Sequence, residues 1–97
     1  MILLRITFHA KFGKAGEVVA LMKEGQQAAA QQGATYRILT DLTGRFDTVV
    51  LESEAESMAE HAQRRAAMFA NPQFQQSQPR MAELIDWGES AFYTIEA

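Results

Sequence analysis

Two histidines have the chemistry of a general base, because imidazole titrates near neutral pH. His9 ends an alternating apolar segment, and His61 lies in a helical segment that also carries Arg64 and Arg65. No metal site is predicted, because no second ligand follows His61 at helical spacing. The alternative, which the residue types favour, is a strand-end histidine near a subunit contact for His9 and a solvated helix face for His61.

Aromatic and cationic residues form a second group of candidates, because their polar tips can stabilise an aromatic anion in a dry pocket. Together with His61, the predicted ligand-binding residues are Tyr36, Arg37, Arg45, Trp87 and Tyr93. The alternative for the tyrosines and the tryptophan is a core or interface position with a satisfied polar tip. Arg45 follows Gly44, and its alternative is a solvated turn residue.

The composition excludes several classes of function. The chain has 97 residues, 47% hydrophobic and 22% charged, with a formal net charge of −3. Lysine and arginine are scattered along it, so nucleic acid is not an expected partner. The absence of cysteine excludes disulfides and thiolate chemistry. The N-terminal apolar run is too short and mixed for a membrane span or a signal peptide, so we expect a cytoplasmic protein without a membrane partner.

The first half of the chain reads as a strand followed by a helix. Ile2 to His9 alternates with period two, which predicts a strand with one apolar face. A glycine-containing turn without Walker spacing leads into a helix from about Ala15 to Gln32, so no nucleotide site is predicted. Gly25 interrupts the apolar stripe of this helix, which predicts a close approach of the helix to the sheet.

The middle of the chain predicts a β-hairpin. The two strands are Thr35 to Asp41 and Phe46 to Ser53, joined by a short connection that contains glycine. The second of them is apolar through Val49, Val50 and Leu51, and a run apolar on both faces indicates burial on both faces.

The remaining signals are helix boundaries and a last strand. The sequence Ser53-Glu54-Ala55-Glu56 fits a capping box and predicts a helix start. Asn71-Pro72 ends that helix and begins the next. Pro79 predicts a kink or break in that next helix, Gly88 its end, and Ala91 to Glu96 a final strand.

The element order β-α-β-β-α-α-β predicts a ferredoxin-like α+β sandwich in a single domain spanning residues 1–97. Its four-stranded antiparallel sheet has the predicted strand order 4-1-3-2, with helices on one face only. The other face carries Leu3, Val49 or Val50 and part of the last strand, which predicts an exposed apolar patch of several hundred Å². We therefore expect a homodimer through this sheet face, since two-fold pairing is the commonest way in which a protein covers an exposed apolar surface with a second copy of itself.

The segment GRFDTVVLESEAESMAEHAQRRAAMFANPQFQQ resembles the second half of dimeric α+β barrel proteins, specifically NIPSNAP-like and antibiotic-biosynthesis-monooxygenase-like ones. The shared pattern is a Gly-Arg-aromatic turn at Gly44, an apolar strand, a serine-rich helix start, a helix with a basic middle, then Asn71-Pro72 and an aromatic. The first half of the chain matches only in element order. The resemblance implies an eight-stranded dimeric barrel, a pocket between each sheet and its helices, and a role for Arg45 as an anion contact.

The resemblance also implies a set of possible activities, because the superfamily includes cofactor-independent oxygenases, haem-degrading enzymes, isomerases, dehydratases and proteins without known activity. Haem is not expected, because the haem-degrading relatives share an Asn, a Trp and a His around the haem, and the only tryptophan here is Trp87. No cofactor is predicted. Three hypotheses remain: binding of a small apolar or aromatic molecule, cofactor-independent oxygenation of a phenolic or quinol substrate, and an interaction module without a ligand.

Overall fold

A computed structural model describes residues 1–97, which form four strands and three helices. In chain order they are β1 (Ile2–Ala10), α1 (Ala15–Gln31), β2 (Arg37–Thr40), β3 (Thr48–Ala55), α2 (Met58–Ala70), α3 (Pro72–Leu84) and β4 (Ile85–Thr94). The predicted element order is confirmed. None of the three helices combines the length and the apolar character that crossing a membrane requires.

The four strands form one antiparallel sheet in the order β2-β3-β1-β4, which confirms the predicted strand order. β1 pairs with β3 from Ile2 opposite Ala55 to His9 opposite Thr48, and its other edge pairs with β4. Side chains alternate across a strand, so Phe8 packs against the core while His9 points the other way. We refer to the face under the helices as the helical side and to the opposite face as the open side.

The hydrophobic core lies between the sheet, α1 and α3. Val18, Val49 and Leu84 are its fully buried side chains, and Met22 and Ala10 complete the cluster. Only nine of the 97 residues are buried, and burying one large aliphatic side chain contributes about 1.5–3 kcal/mol. The stability of the isolated chain therefore depends on a few side chains on the helical side.

The predicted capping box at Ser53 is wrong. Ser53 lies within β3, opposite Leu4, because the ladder with β1 continues to Ala55 and satisfies the backbone groups there. The cap of α2 is Ser57, whose Oγ accepts a hydrogen bond from the Glu60 backbone N–H at 3.2 Å. The same Ser-x-x-Glu pattern recurs one turn later at Ser57, and because Ser53 is paired in the sheet, only this second occurrence is free to cap the helix.

The predicted end of α3 and start of β4 are also wrong. The helix ends at Leu84 and the strand begins at Ile85, so Gly88 lies inside β4. A Cβ at Gly88 would approach the carbonyl oxygen of Thr7 to 3.0 Å, so this glycine allows β4 to pass close to β1. Pro79 does not break α3, which continues through it as one helix.

Candidate functional site

The centre of the open side carries one carboxylate between two arginines, which we call the charge cluster. The strand register places Arg5 and Arg37 on either side of Glu52. Glu52 Oε2 accepts a hydrogen bond from Arg5 Nε at 2.7 Å, and Oε1 accepts one from Arg37 Nε at 2.9 Å. Glu52 is only 5% exposed although no helix covers this side. The side chains around it therefore supply the cover.

The charges of the cluster stabilise one another. The hydrogen bond from Arg37, followed by that from Arg5, lowers the pKa of Glu52 despite the opposing effect of burial. The hydrogen bond to Glu52 in turn raises the pKa of Arg5. The Arg5 guanidinium carbon lies 5.3 Å from the Tyr93 ring centroid, within cation–π range. Two predicted ligand residues, Arg37 and Tyr93, are thus engaged with neighbours on the open side.

The charge cluster corrects the expected character of the open side. Leu3 and Val50 do lie on this face, but the row containing Arg5 and Glu52 separates them, so the apolar patch is not contiguous. The pairing of Arg5 with Glu52 was not predicted from the sequence. The available signal was opposite charges on two strands expected to be neighbours, and using it requires the register.

At one end of the open side, three candidates from separate parts of the chain come together. Trp87 in β4 lies opposite His9 in β1, with ring centroids 3.9 Å apart and an interplanar angle of 35°. Arg45, from the β2–β3 connection, places its guanidinium carbon 5.1 Å from the Trp87 ring centroid. His9 is 9% exposed, and its Nδ1 has no hydrogen-bond partner.

Tyr36 points towards α1 instead of joining these residues. Its hydroxyl donates a hydrogen bond to the Met22 carbonyl oxygen at 2.6 Å, and burial raises its pKa to about 12. A Cβ at Gly25 would lie 2.8 Å from this hydroxyl oxygen. The glycine in the apolar stripe of α1 therefore makes room for the tyrosine. The hydroxyl proton of Tyr36 is used in the hydrogen bond to Met22 and is not available to a ligand.

His61, like Tyr36, lies on the helical side of the sheet. It projects from α2 towards Phe92 of β4, with ring centroids 5.0 Å apart and an interplanar angle of 71°. Phe92 lies opposite the buried Leu4 and so belongs to the helical side, yet it is 41% exposed. α2 itself contains no buried residue. The helix therefore leaves the aromatic pair partly uncovered.

The predicted ligand-binding residues thus do not form one pocket. His61 and Trp87 lie on opposite sides of the sheet, since Phe92 and Trp87 are on opposite faces of β4. A recess of about 520 Å³ has Tyr36 and Arg37 in its wall and touches neither His61 nor Trp87. No group of three or more histidine, aspartate or glutamate side chains is placed to hold a metal ion.

The chain resembles known proteins in its structure, but its sequence matches no family model. No family model matches the chain, and no curated protein matches it significantly. An uncharacterized NIPSNAP domain protein from Burkholderia xenovorans superposes with a TM-score of 0.87 at 24% identity, covering 100% of this chain and 96% of that one. A NIPSNAP family protein from Agrobacterium tumefaciens gives a TM-score of 0.87 at 21% identity, covering 97% of this chain and 84% of that one.

A putative antibiotic biosynthesis monooxygenase from Nitrosomonas europaea superposes over the full length of both chains, with a TM-score of 0.79 at 10% identity. The chain has the fold of these proteins. The ferredoxin-like α+β architecture and the predicted resemblance are thereby confirmed at the level of structure. Sequence identities this low show the fold alone, and a shared fold does not choose a function.

Proposed function

We propose that this protein binds a small apolar or aromatic molecule between α2 and the sheet, against His61 and Phe92. The observation that carries the proposal is the 41% exposure of Phe92 on the face that the helices cover. Large aromatic side chains on a covered face are ordinarily well buried. A ligand the size of one or two aromatic rings would complete the packing that α2 leaves open.

The way α2 is held supports such a site. The Ser57 cap fixes the N-terminal end of the helix, and Arg64, in its middle, donates a hydrogen bond from Nη1 to the Glu54 carbonyl oxygen at 2.9 Å. Near its C-terminal end, the Phe69 ring meets Phe74 of α3 with centroids 5.1 Å apart. Since no α2 side chain is buried, a small outward shift of the helix costs little apolar contact and admits a ligand.

A second candidate function, cofactor-independent oxygenation of a phenolic or quinol substrate, is favoured by His61 in particular. Its imidazole stands beside the Phe92 ring, where it can accept the proton of a bound phenol and so produce the electron-rich anion that reacts with oxygen. The fold likeness to a putative antibiotic biosynthesis monooxygenase is consistent with this chemistry. His9 is the alternative base, on the other side of the sheet.

The protein acts, in this proposal, as a homodimer that pairs the two open sides. The isolated chain buries few residues and leaves Leu39 and Tyr93 of that side 38% and 48% exposed. A second copy would cover these side chains and add the buried area that so short a chain lacks. Light scattering at micromolar concentration should report twice the chain mass, and a monomer there would refute the pairing.

Ligand-dependent thermal unfolding tests the binding site, with phenol and 1-naphthol as probes. A ligand present at a hundred times its Kd stabilises the folded state by about 2.7 kcal/mol, which is a measurable rise in Tm. Phe92→Ala should reduce the rise by more than half. Phe12→Ala is the matched control, because Phe12 is 84% exposed on a loop and distant in sequence from the site.

Four outcomes separate the hypotheses. Equal Tm shifts in Phe92→Ala and Phe12→Ala would place binding elsewhere and contradict the proposed site. No shift with any probe would favour an interaction module whose pocket its own side chains fill. Oxygen uptake with a quinol and no added cofactor, lost in His61→Ala, would establish the oxygenase. Binding without oxygen uptake would leave the protein a binder.

A further inference from the structure

We propose a second ligand site, beyond the proposed function and on the other side of the sheet, where His9, Arg45 and Trp87 bind a small aromatic carboxylate. The site lies at the end of the open side, beside the connection between β2 and β3. Its three side chains come from β1, that connection and β4.

The imidazole of His9 is the first observation. The residue is nine-tenths buried, and its Nδ1 is the one buried side-chain nitrogen or oxygen of the chain without a hydrogen-bond partner. Buried polar atoms in folded proteins are nearly always paired, so an unpaired one indicates a missing partner. Trp87, which is 45% exposed, covers this ring at a centroid distance of 3.9 Å. A shift of the indole therefore gives an incoming polar group access to the imidazole.

The guanidinium of Arg45 is the second observation. Four of the six arginines pair with carboxylates, namely Arg5, Arg37, Arg64 and Arg80. Arg45 has no such partner and lies over the Trp87 ring at 5.1 Å. Its fork of N–H donors fits a carboxylate in a bidentate pair, which gives the site its charge preference.

The backbone around Arg45 is held in place, which is the third observation. The Thr48 hydroxyl donates to the Arg45 carbonyl oxygen at 2.8 Å. Asp47 adopts φ 60°, and its carboxylate accepts hydrogen bonds from the backbone N–H groups of Gly13 at 2.9 Å and Ala15 at 3.3 Å. A non-glycine residue in the left-handed region persists only where its surroundings fix it. The connection therefore presents Arg45 in a defined position.

These observations select the ligand class. The carboxylate accepts a bidentate pair of hydrogen bonds from the Arg45 guanidinium and a further one from the Nδ1–H of His9, while the ring of the ligand lies against the indole of Trp87. A simple anion lacks the stacking contact, and a neutral aromatic lacks the ion pair. Both groups are needed, so an aromatic carboxylate is favoured over either part alone.

Trp87 is the only tryptophan, so its fluorescence reports on this site directly. Benzoate is the probe, with benzamide as the neutral isostere and acetate as the anion without a ring. We expect a saturable change in emission with benzoate and at least tenfold weaker responses to the other two. Arg45→Gln should weaken the benzoate response at least tenfold.

Arg65→Gln is the matched control, because Arg65 also lacks a carboxylate partner and lies over an aromatic ring, that of Phe69. It should leave the benzoate response unchanged. No saturable response in the wild type, equal responses to benzoate and benzamide, or equal losses in Arg45→Gln and Arg65→Gln would each overturn the inference. Phe92→Ala separates the two sites: if it abolishes the benzoate response, the ligand binds on the helical side and the second site does not exist.

Discussion

The two sides of the sheet use different interactions to hold the same strands. The helical side contains the aliphatic core around Val18, Val49 and Leu84. The open side contains the charge cluster of Arg5, Glu52 and Arg37, with the Tyr93 ring beside Arg5. Most of the hydrophobic stabilisation of the isolated chain therefore lies on one side of the sheet, while the other side presents charged groups in fixed positions.

The largest expected effect is loss of a core side chain from the helical side. Leu84→Ala should lower the free energy of unfolding by about 2–5 kcal/mol, because the site is almost fully buried and a cavity remains. Leu42→Ala is the control, since Leu42 is fully solvated, and it should change stability by less than about 0.5 kcal/mol. Urea unfolding of both variants measures the difference. Similar losses of unfolding free energy in the two variants would mean that the core on the helical side is not the main source of stability.

The next effect is loss of the carboxylate from the open side. Glu52→Gln should lower the free energy of unfolding by about 1–3 kcal/mol at pH 7, because the negative charge that strengthens the hydrogen bonds from Arg5 and Arg37 is lost and one acceptor oxygen is replaced by an NH2 group. Glu54→Gln is the control on the same face of β3, where the residue is exposed.

The same variant has a defined pH dependence. The folded-state pKa of Glu52 lies below its ordinary value of 4.5, so its contribution is complete above that pH and is lost as the pH falls through the lower folded-state value. The stability difference between wild type and Glu52→Gln should therefore be constant from neutral pH to about pH 5 and shrink below 4.5. A difference that grew on acidification would contradict the charge cluster.

The smallest effect distinguishes packing from helix propensity at the contact between Tyr36 and α1. Tyr36→Phe should cost about 1 kcal/mol, since the hydrogen bond to the Met22 carbonyl oxygen is lost. Gly25→Ala should destabilise the wild type, because its Cβ displaces the tyrosine hydroxyl. In the Tyr36→Phe background the same change should stabilise by up to about 1 kcal/mol, because the propensity gain of alanine remains. If Gly25→Ala destabilised the protein in both backgrounds, the Tyr36 hydroxyl would not be the group that excludes a side chain at position 25.

The fold could be predicted because its signals are local. Alternation from Ile2 to Phe8, the apolar run at Val49 and the Asn71-Pro72 boundary each act over a few residues. The predictions at Ser53 and Gly88 were wrong because both residue types are typical of helix ends, whereas in the structure both residues lie in strands that pair with β1. In both cases the ladder with β1 satisfied the backbone groups that a cap would otherwise serve.

The candidate residues could be chosen by type but not grouped. His61, Trp87 and Tyr93 were all expected in one pocket, and the structure separates His61 from the other two by the sheet. The alternation of side chains along β4 decides which face each residue lies on, and a shift of one residue in strand register would exchange the two faces. The partners of the charge cluster were missed for the same reason.

By itself, the sequence determined the order of elements and the α+β class, because periodicity, caps and turns are properties of neighbouring residues. The resemblance to NIPSNAP-like proteins rested on the motif from Gly44 to Phe74. Only the tertiary structure decided that Arg5 meets Glu52, that His9 lies under Trp87 and that Phe92 is left partly open. These contacts join residues far apart in the chain. They depend on strand register and on how closely each helix approaches the sheet, and both are set by the packing of the whole molecule.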